Sequence, residues 1–136
     1  MREILFRGKD LRTGEWVFGS FGIFTELDGS GPMQYDIMAA QEESSHPVNP
    51  DTVGQYTGMT DKNGRKIFEG DILKGEYELD GAHGEFHEAV LWEGGSWAIQ
   101  ECGYDYTADI LTDETAAECV IVGNIHDNPE LMEVQE

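Results

Sequence analysis

Positive charge is what this chain has least of. Its 136 residues include eight lysines and arginines against 28 aspartates and glutamates, a formal net charge of −20. The eight fall in two windows, Arg2, Arg7, Lys9 and Arg12, then Lys62, Arg65, Lys66 and Lys74. From Gly75 to Glu136 there are 16 acids and neither lysine nor arginine. A field of this sign repels nucleic acid and anionic membrane and attracts cations or a basic partner. Direct nucleic-acid binding is therefore not expected, although acidity as a plain solubility device explains the same count. Cysteine is nearly absent as well. Cys102 and Cys119 lie far apart with no CxxC pattern, and are read as two buried free thiols in a reducing compartment. Long apolar runs are missing. The opening "MREILFRGKD" has charges where a signal peptide needs hydrophobic residues, and no stretch approaches membrane-spanning length. A soluble cytoplasmic protein, with no membrane partner, is the expectation.

What is present points to β-structure. The hydrophobic fraction is 39%, and 14 aromatics (3 Trp, 5 Tyr, 6 Phe) give a core substance. "EILFRGKDLRTGEWVFGSFGIF" reads as two strands joined across the polar turn "KDLRTG", with Gly14 available for a positive φ. "YDIMAA" suits another short strand, between the loops "TELDGSGPMQ" and "EESSHPVNPDT". The second loop, with two prolines, divides an N-terminal β lobe, 1–52, from a C-terminal lobe, 53–136, the two forming one compact unit.

"VGQYTGMTDKNGRKIFEGDIL" holds four glycines, and raises the question of a ligand-cradling loop. Such a loop needs a helix after it, and none follows. Asn63-Gly64 instead signals a two-residue type I′ hairpin, Gly70 a break, and Asp71 a carboxylate accepting backbone N–H groups in the bend. These four are structural turn residues, and the stretch is scaffold. Beyond it, "DILKGEYEL", "EFHEAVLWE", "SWAIQEC" and "ECVIVGNI" are strand-like, with "DGAHG" and Gly94-Gly95 as turns. The only region with helical possibilities among them is "YDYTADILTDETAAE". "DNPELM" reads as a short helix start, with Asn128 as its N-cap and Pro129 first. The fold expected is mainly β, a β-rich α+β chain. It comprises an N-terminal β-hairpin lobe and a small C-terminal β-barrel or sandwich with one or two short helices.

Several segments together resemble the YopX family of phage and prophage proteins. They are Tyr56-Thr57-Gly58, Lys62-Asn63-Gly64, Glu69-Gly70-Asp71-Ile72, Val122-Gly123-Asn124-Ile125 and Asn128-Pro129-Glu130-Leu131, with the opening "MREILFRGKD". Residues 25–48 and 75–118 follow no such pattern. The resemblance implies a mostly β fold and a phage-derived gene; the cytoplasm expected above is then that of the host cell. It implies no catalytic residues, no cofactor and no established activity.

Chemistry-bearing patterns are sparse. "HGEFH" would put His83, Glu85 and His87 on one strand face, a possible zinc-binding set, but "DGAHG" as a turn takes His83 out of that strand. No metal is expected. No serine has a GxSxG context, and no Ser-His-Asp triad can be argued. Asp105, Asp109 and Asp113 are spaced by four, with Glu114 and Glu118 related by the same step. On a helix they would form a carboxylate row with steps of about 6 Å, as a protein imitating DNA phosphates would use. A solvated acidic face accounts for the spacing equally. The expected function is that of a non-enzymatic accessory protein binding a basic host or phage protein through these five acids. The alternative is a small metal- or ligand-binding β module using the "HGEFH" face.

Overall fold

Apolar and aromatic runs bounded by turn residues become strands. The computed structural model describes residues 2–39, 42, 44–104 and 109–133. The chain divides into two units, Met1–Tyr56 and Thr57–Glu136. In the first, β1 (Phe6–Lys9) and β2 (Trp16–Phe24) form the expected hairpin, in register from Phe6↔Gly19 to Lys9↔Trp16. Its turn is built on Asp10, whose carbonyl accepts the Gly14 N–H and whose carboxylate accepts the Arg12 N–H at 2.7 Å. Gly14 supplies the positive φ, +74°. β3 (Gln34–Ala39) pairs with β2, β4 (Ser45–Pro47) pairs with β3, and β5 (Gly54–Thr60) begins beside β1. A 3₁₀ turn, Pro50–Thr52, leads into β5.

Ile37 and Val48 are buried at the centre of this unit, and both crowd Gly8, where a side chain would meet them at 3.1–3.3 Å. Phe6, Phe21 and Tyr35 form an aromatic row, with centroids 5.6 and 6.2 Å apart. His46, on β4, lies between two carboxylates, with Nδ1 3.0 Å from Asp10 and Nε2 2.8 Å from Glu42. Both raise the imidazole pKa above its ordinary value, Glu42 more strongly. The Arg12 amide is the main cause holding Asp10 down at about 2.

The second unit takes over along β5. β6 (Lys66–Phe68) follows it in the chain. Then come β7 (Asp71–Leu79), β8 (Ala82–Glu93), β9 (Ser96–Glu101), β10 (Asp109–Ile110), helix α1 (Asp113–Glu118) and β11 (Val120–Asn124). Five of these strands make an antiparallel sheet ordered β10-β9-β8-β7-β11. It is open, with β10 at one edge and β11 at the other, so the barrel expected from the strand spacing does not close. The mainly β class holds, with a single α-helix among the described residues.

The buried cluster of this unit comprises Ile67, Leu73, Val90, Ile99, Leu111, Ala116 and Cys119. Val90 and Ile99 face each other across β8 and β9, and α1 contributes Ala116. Cys119 is buried and Cys102 half-buried, and both are free thiols. Among the described residues, no helix is long and apolar enough to cross a membrane.

The turns correct three expectations. Asn63-Gly64 is not a two-residue type I′ turn. Asp61 and Arg65 close a three-residue loop, with Asp61 N–H donating to the Arg65 carbonyl at 2.9 Å. Gly64 has φ +79°, but Asn63 does not share the left-handed region. This is the type I turn followed by a left-handed glycine that three-residue hairpins favour. Paired positive φ values occur instead at Asp80-Gly81 (+52° and +82°) and Gly94-Gly95 (+64° and +83°). The first joins β7 directly to β8, so His83 lies inside β8 rather than in a turn. The segment from Pro129 to Met132 is a 3₁₀ turn, and Asn128 makes no side-chain cap. Its Oδ1 instead accepts the Asn124 N–H at 3.2 Å.

Candidate functional site

The acids singled out by their spacing are placed on different elements. Asp105 lies outside the described residues. Asp109 is on β10, exposed, with its carboxylate accepting the N–H of Ile110 at 2.7 Å. Thr112 caps α1 by accepting the Thr115 N–H at 3.2 Å, which starts the helix four residues after Asp109 rather than before it. Asp113 and Glu114 occupy the first turn, where the helix dipole favours negative charge, and Glu118 ends the helix. All three are exposed. A row of carboxylates on one helix therefore does not form. What forms is an exposed acidic group spread over a short strand and a six-residue helix.

The turn residues assemble around buried acids. Gly70, at φ +93°, donates its N–H to the Val90 carbonyl and accepts the Ile125 N–H. Asp71 is buried and accepts the Phe68 N–H at 2.7 Å. A more connected acid, Asp61, escaped the sequence reading. It is 4% exposed; Oδ1 accepts the N–H groups of Asn63 and Arg65, both at 2.9 Å, and Oδ2 that of Ile121 at 3.0 Å. Burial alone would push its pKa up, but the three N–H donors outweigh that and hold it below the ordinary value. The carboxylate is used up in binding its own backbone. It is structural, as is Asp71.

Glu88 is the second group the sequence reading missed. It faces Glu101 directly across β8 and β9, and its Oε2 is buried without a hydrogen-bond partner among the described residues. Burial chiefly, then the charges of Glu101 and Asp109, raise its pKa from 4.5 to about 6. A folded-state pKa above the unfolded one means this site is harmless below about pH 4.5. It destabilises increasingly between about pH 4.5 and 6, where the unfolded chain loses this proton first, and the full penalty stands above about 6. Glu88→Gln is expected to stabilise the protein by about 1 kcal/mol at pH 7.5, a figure reduced for partial solvent screening, and to change nothing at pH 4. Urea melts at both pH values test this, and an equal effect at both would exclude the pairing as its cause.

The two thiols are held in their unreactive form. Burial first, then Glu88 and Glu101, push the Cys102 thiol up to about 11, and burial and Glu88 raise Cys119 as well. Both remain thiols near neutrality, and the thiolate is the reactive form. The "HGEFH" residues do share one face of β8, because the strand includes His83. That face meets Glu78, Glu76 and Lys74 of β7, with Lys74 Nζ 3.1 Å from Glu85. Among the described residues, no three or more histidines, cysteines or acids stand close enough together to hold a metal ion.

A family model described as "YopX protein" matches residues 5–133. The crystal structure of protein EF1440 from Enterococcus faecalis is similar in fold. Its TM-score is 0.56 with 23% identical residues, over 98% of this chain and 100% of that one. No curated protein matches the chain.

Proposed function

Because this chain belongs to the YopX family, we propose that it is an accessory protein of phage or prophage origin that works by binding rather than catalysis. Its partner is a basic protein of the host cytoplasm or of the phage, and the contact is made by acids of the second unit. The observation that supports this reading is the exposure of Asp109, Asp113, Glu114 and Glu118 in a span, 75–136, that contains neither lysine nor arginine. With no lysine or arginine in that span, these charges project a net negative field that a basic surface neutralises on contact. Imitation of regularly spaced DNA phosphates is the less favoured form of the idea, because Asp109 and the α1 acids follow different backbone geometries.

The reading is tested with Asp109→Asn, Asp113→Asn, Glu114→Gln and Glu118→Gln combined. Binding to a basic partner isolated from host lysate is expected to weaken by about tenfold at low salt, since four exposed pairs contribute a few tenths of a kcal/mol each. The difference should shrink as salt rises and the field's reach contracts to about 8 Å. The melting temperature should hold. Capture that ignores both salt and the four replacements would mean that the acidity serves solubility alone.

A further inference from the structure

The longest hairpin of the second unit extends past its own sheet. β11 pairs with β7 only as far as Val120↔Lys74, and β9 pairs with β8 only from Glu88 onward. Among the described residues, Gly75–Leu79 and Ala82–Phe86 pair with each other alone, whereas the His87 carbonyl still accepts the Cys102 N–H at 2.9 Å. A two-stranded ribbon in water is marginal unless something covers it. This ribbon has two unlike faces. On one, the Phe86 ring lies over Gly75 and the Tyr77 ring over Gly84, with Leu79 opposite Ala82. Tyr77 is 51% and Leu79 66% exposed. On the other face are Glu76 and Glu78, opposite Glu85 and His83. Lys74 is engaged by Glu85, and no ion pair reaches Glu76 or Glu78 among the described residues.

The free edge of β7 has the sequence Gly-Glu-Tyr-Glu-Leu, with none of the lysines, prolines or bulges that usually guard an edge. We propose that this edge is a strand-addition site for an extended segment of a partner protein in which basic and apolar residues alternate. The period of two in a strand sets the match: basic side chains beside Glu76 and Glu78 on one face, apolar ones beside Tyr77 and Leu79 on the other. Main-chain hydrogen bonds hold the added strand, and the alternation selects it. Charge decides against a second copy of this chain, because pairing two such edges would set glutamates beside glutamates. It also decides against nucleic acid. The inference rests on the basic-partner reading above and narrows it to one edge.

The test uses the whole chain and two capped pentapeptides of equal composition, Lys-Val-Lys-Val-Lys and the block Val-Val-Lys-Lys-Lys. The alternating peptide is expected to bind about fivefold more tightly and to slow amide exchange within residues 75–79. Glu76→Lys with Glu78→Lys should abolish this and transfer preference to Glu-Val-Glu-Val-Glu. Glu76→Gln with Glu78→Gln should weaken binding without moving the melting temperature, which guards against misfolding of the reversed variant. Equal affinity for both peptides, or protection elsewhere, overturns the proposal. So does concentration-dependent dimerisation that protects 75–79 without peptide, which would assign the edge to a second copy. If a basic protein binds through Asp109 and the α1 acids while 75–79 stays unprotected, this inference fails and the acidic-surface reading stands. If no basic ligand of either pattern binds, both fail together.

Discussion

Replacing Asp61 by alanine is expected to destabilise the second unit by more than about 3 kcal/mol. Three backbone N–H groups, those of Asn63, Arg65 and Ile121, end on this one buried carboxylate. Hydrogen bonds to a charged acceptor are worth about 1.5–3 kcal/mol each, and a donor left buried without a partner adds its own desolvation cost. The hairpin closed by Asp61 would lose its side-chain brace, and β11 would lose the acceptor that ties Ile121 to that hairpin. Asp61→Asn keeps one acceptor oxygen but turns an NH₂ toward one set of donors, so its loss should be intermediate.

The pH dependence gives an independent check. The Asp61 pKa is held below its ordinary value, so its stabilisation is present above the unfolded carboxylate pKa of 3.8 and disappears as pH falls through the lower folded value. Wild type should therefore lose stability in acid faster than Asp61→Ala does. Parallel acid profiles for the two proteins would show that Asp61 is not the brace its geometry suggests.

Why Asp61 went unread explains how much of this fold a sequence can carry. The strands were legible because β-branched and aromatic runs ended at glycines: "DILKGEYEL" is β7 and "SWAIQEC" contains β9. The turn at 61–65 was legible as a hairpin but not in its type. Asn-Gly signals a two-residue loop, and nothing local records that the Asp61 carboxylate would accept the amides of Asn63 and Arg65 and enlarge it. Its bond to Ile121 spans 60 residues, a distance that local patterning does not reach.

The acid spacing failed differently. Steps of four suit a helix, but Thr112 is a better start signal than spacing is, and it truncates the helix ahead of Asp113. Asp80-Gly81 is a readable hairpin signal, but the second glycine of "DGAHG" suggests a turn that extends over His83, which β8 includes instead. Glu88 had no signal at all. Its character comes from facing Glu101 under a partly buried surface, which depends on the register of two strands. The candidate site was therefore legible as a charge imbalance and not as a geometry.

The second large effect belongs to the first unit, at Gly19. Glycine in the middle of a strand is ordinarily a weakness, and alanine there gains about 0.5–1 kcal/mol. Gly19→Ala is expected to do the reverse and cost roughly 3 kcal/mol. Gly19 is buried in β2, between Phe6 of β1 and Ala39 of β3. A Cβ built there falls into the Met38 carbonyl oxygen, 2.7 Å from the Met38 carbonyl carbon and 2.9 Å from the Ala39 Cα. Those are backbone atoms of the neighbouring strand and have no rotamer to escape into. Relief requires β2 and β3 to separate, which breaks the pairing that runs from Gly19↔Ala39 to Phe24↔Gln34 and carries Ile37 out of the core, an overpacking cost at the upper end of the usual range.

Gly22→Ala is the control on the same strand. Its Cβ meets only the Phe24 ring, at 2.7 Å, and that exposed side chain can swing aside. It should cost less than about 1 kcal/mol. Urea melts of both variants, followed by amide exchange of β2 and β3, separate the two cases. A Gly19→Ala protein melting with wild type would mean that the strands are not held as closely as their register requires. A loss confined to β2 and β3, with the second unit's amides unchanged, would place the effect in the backbone contact itself.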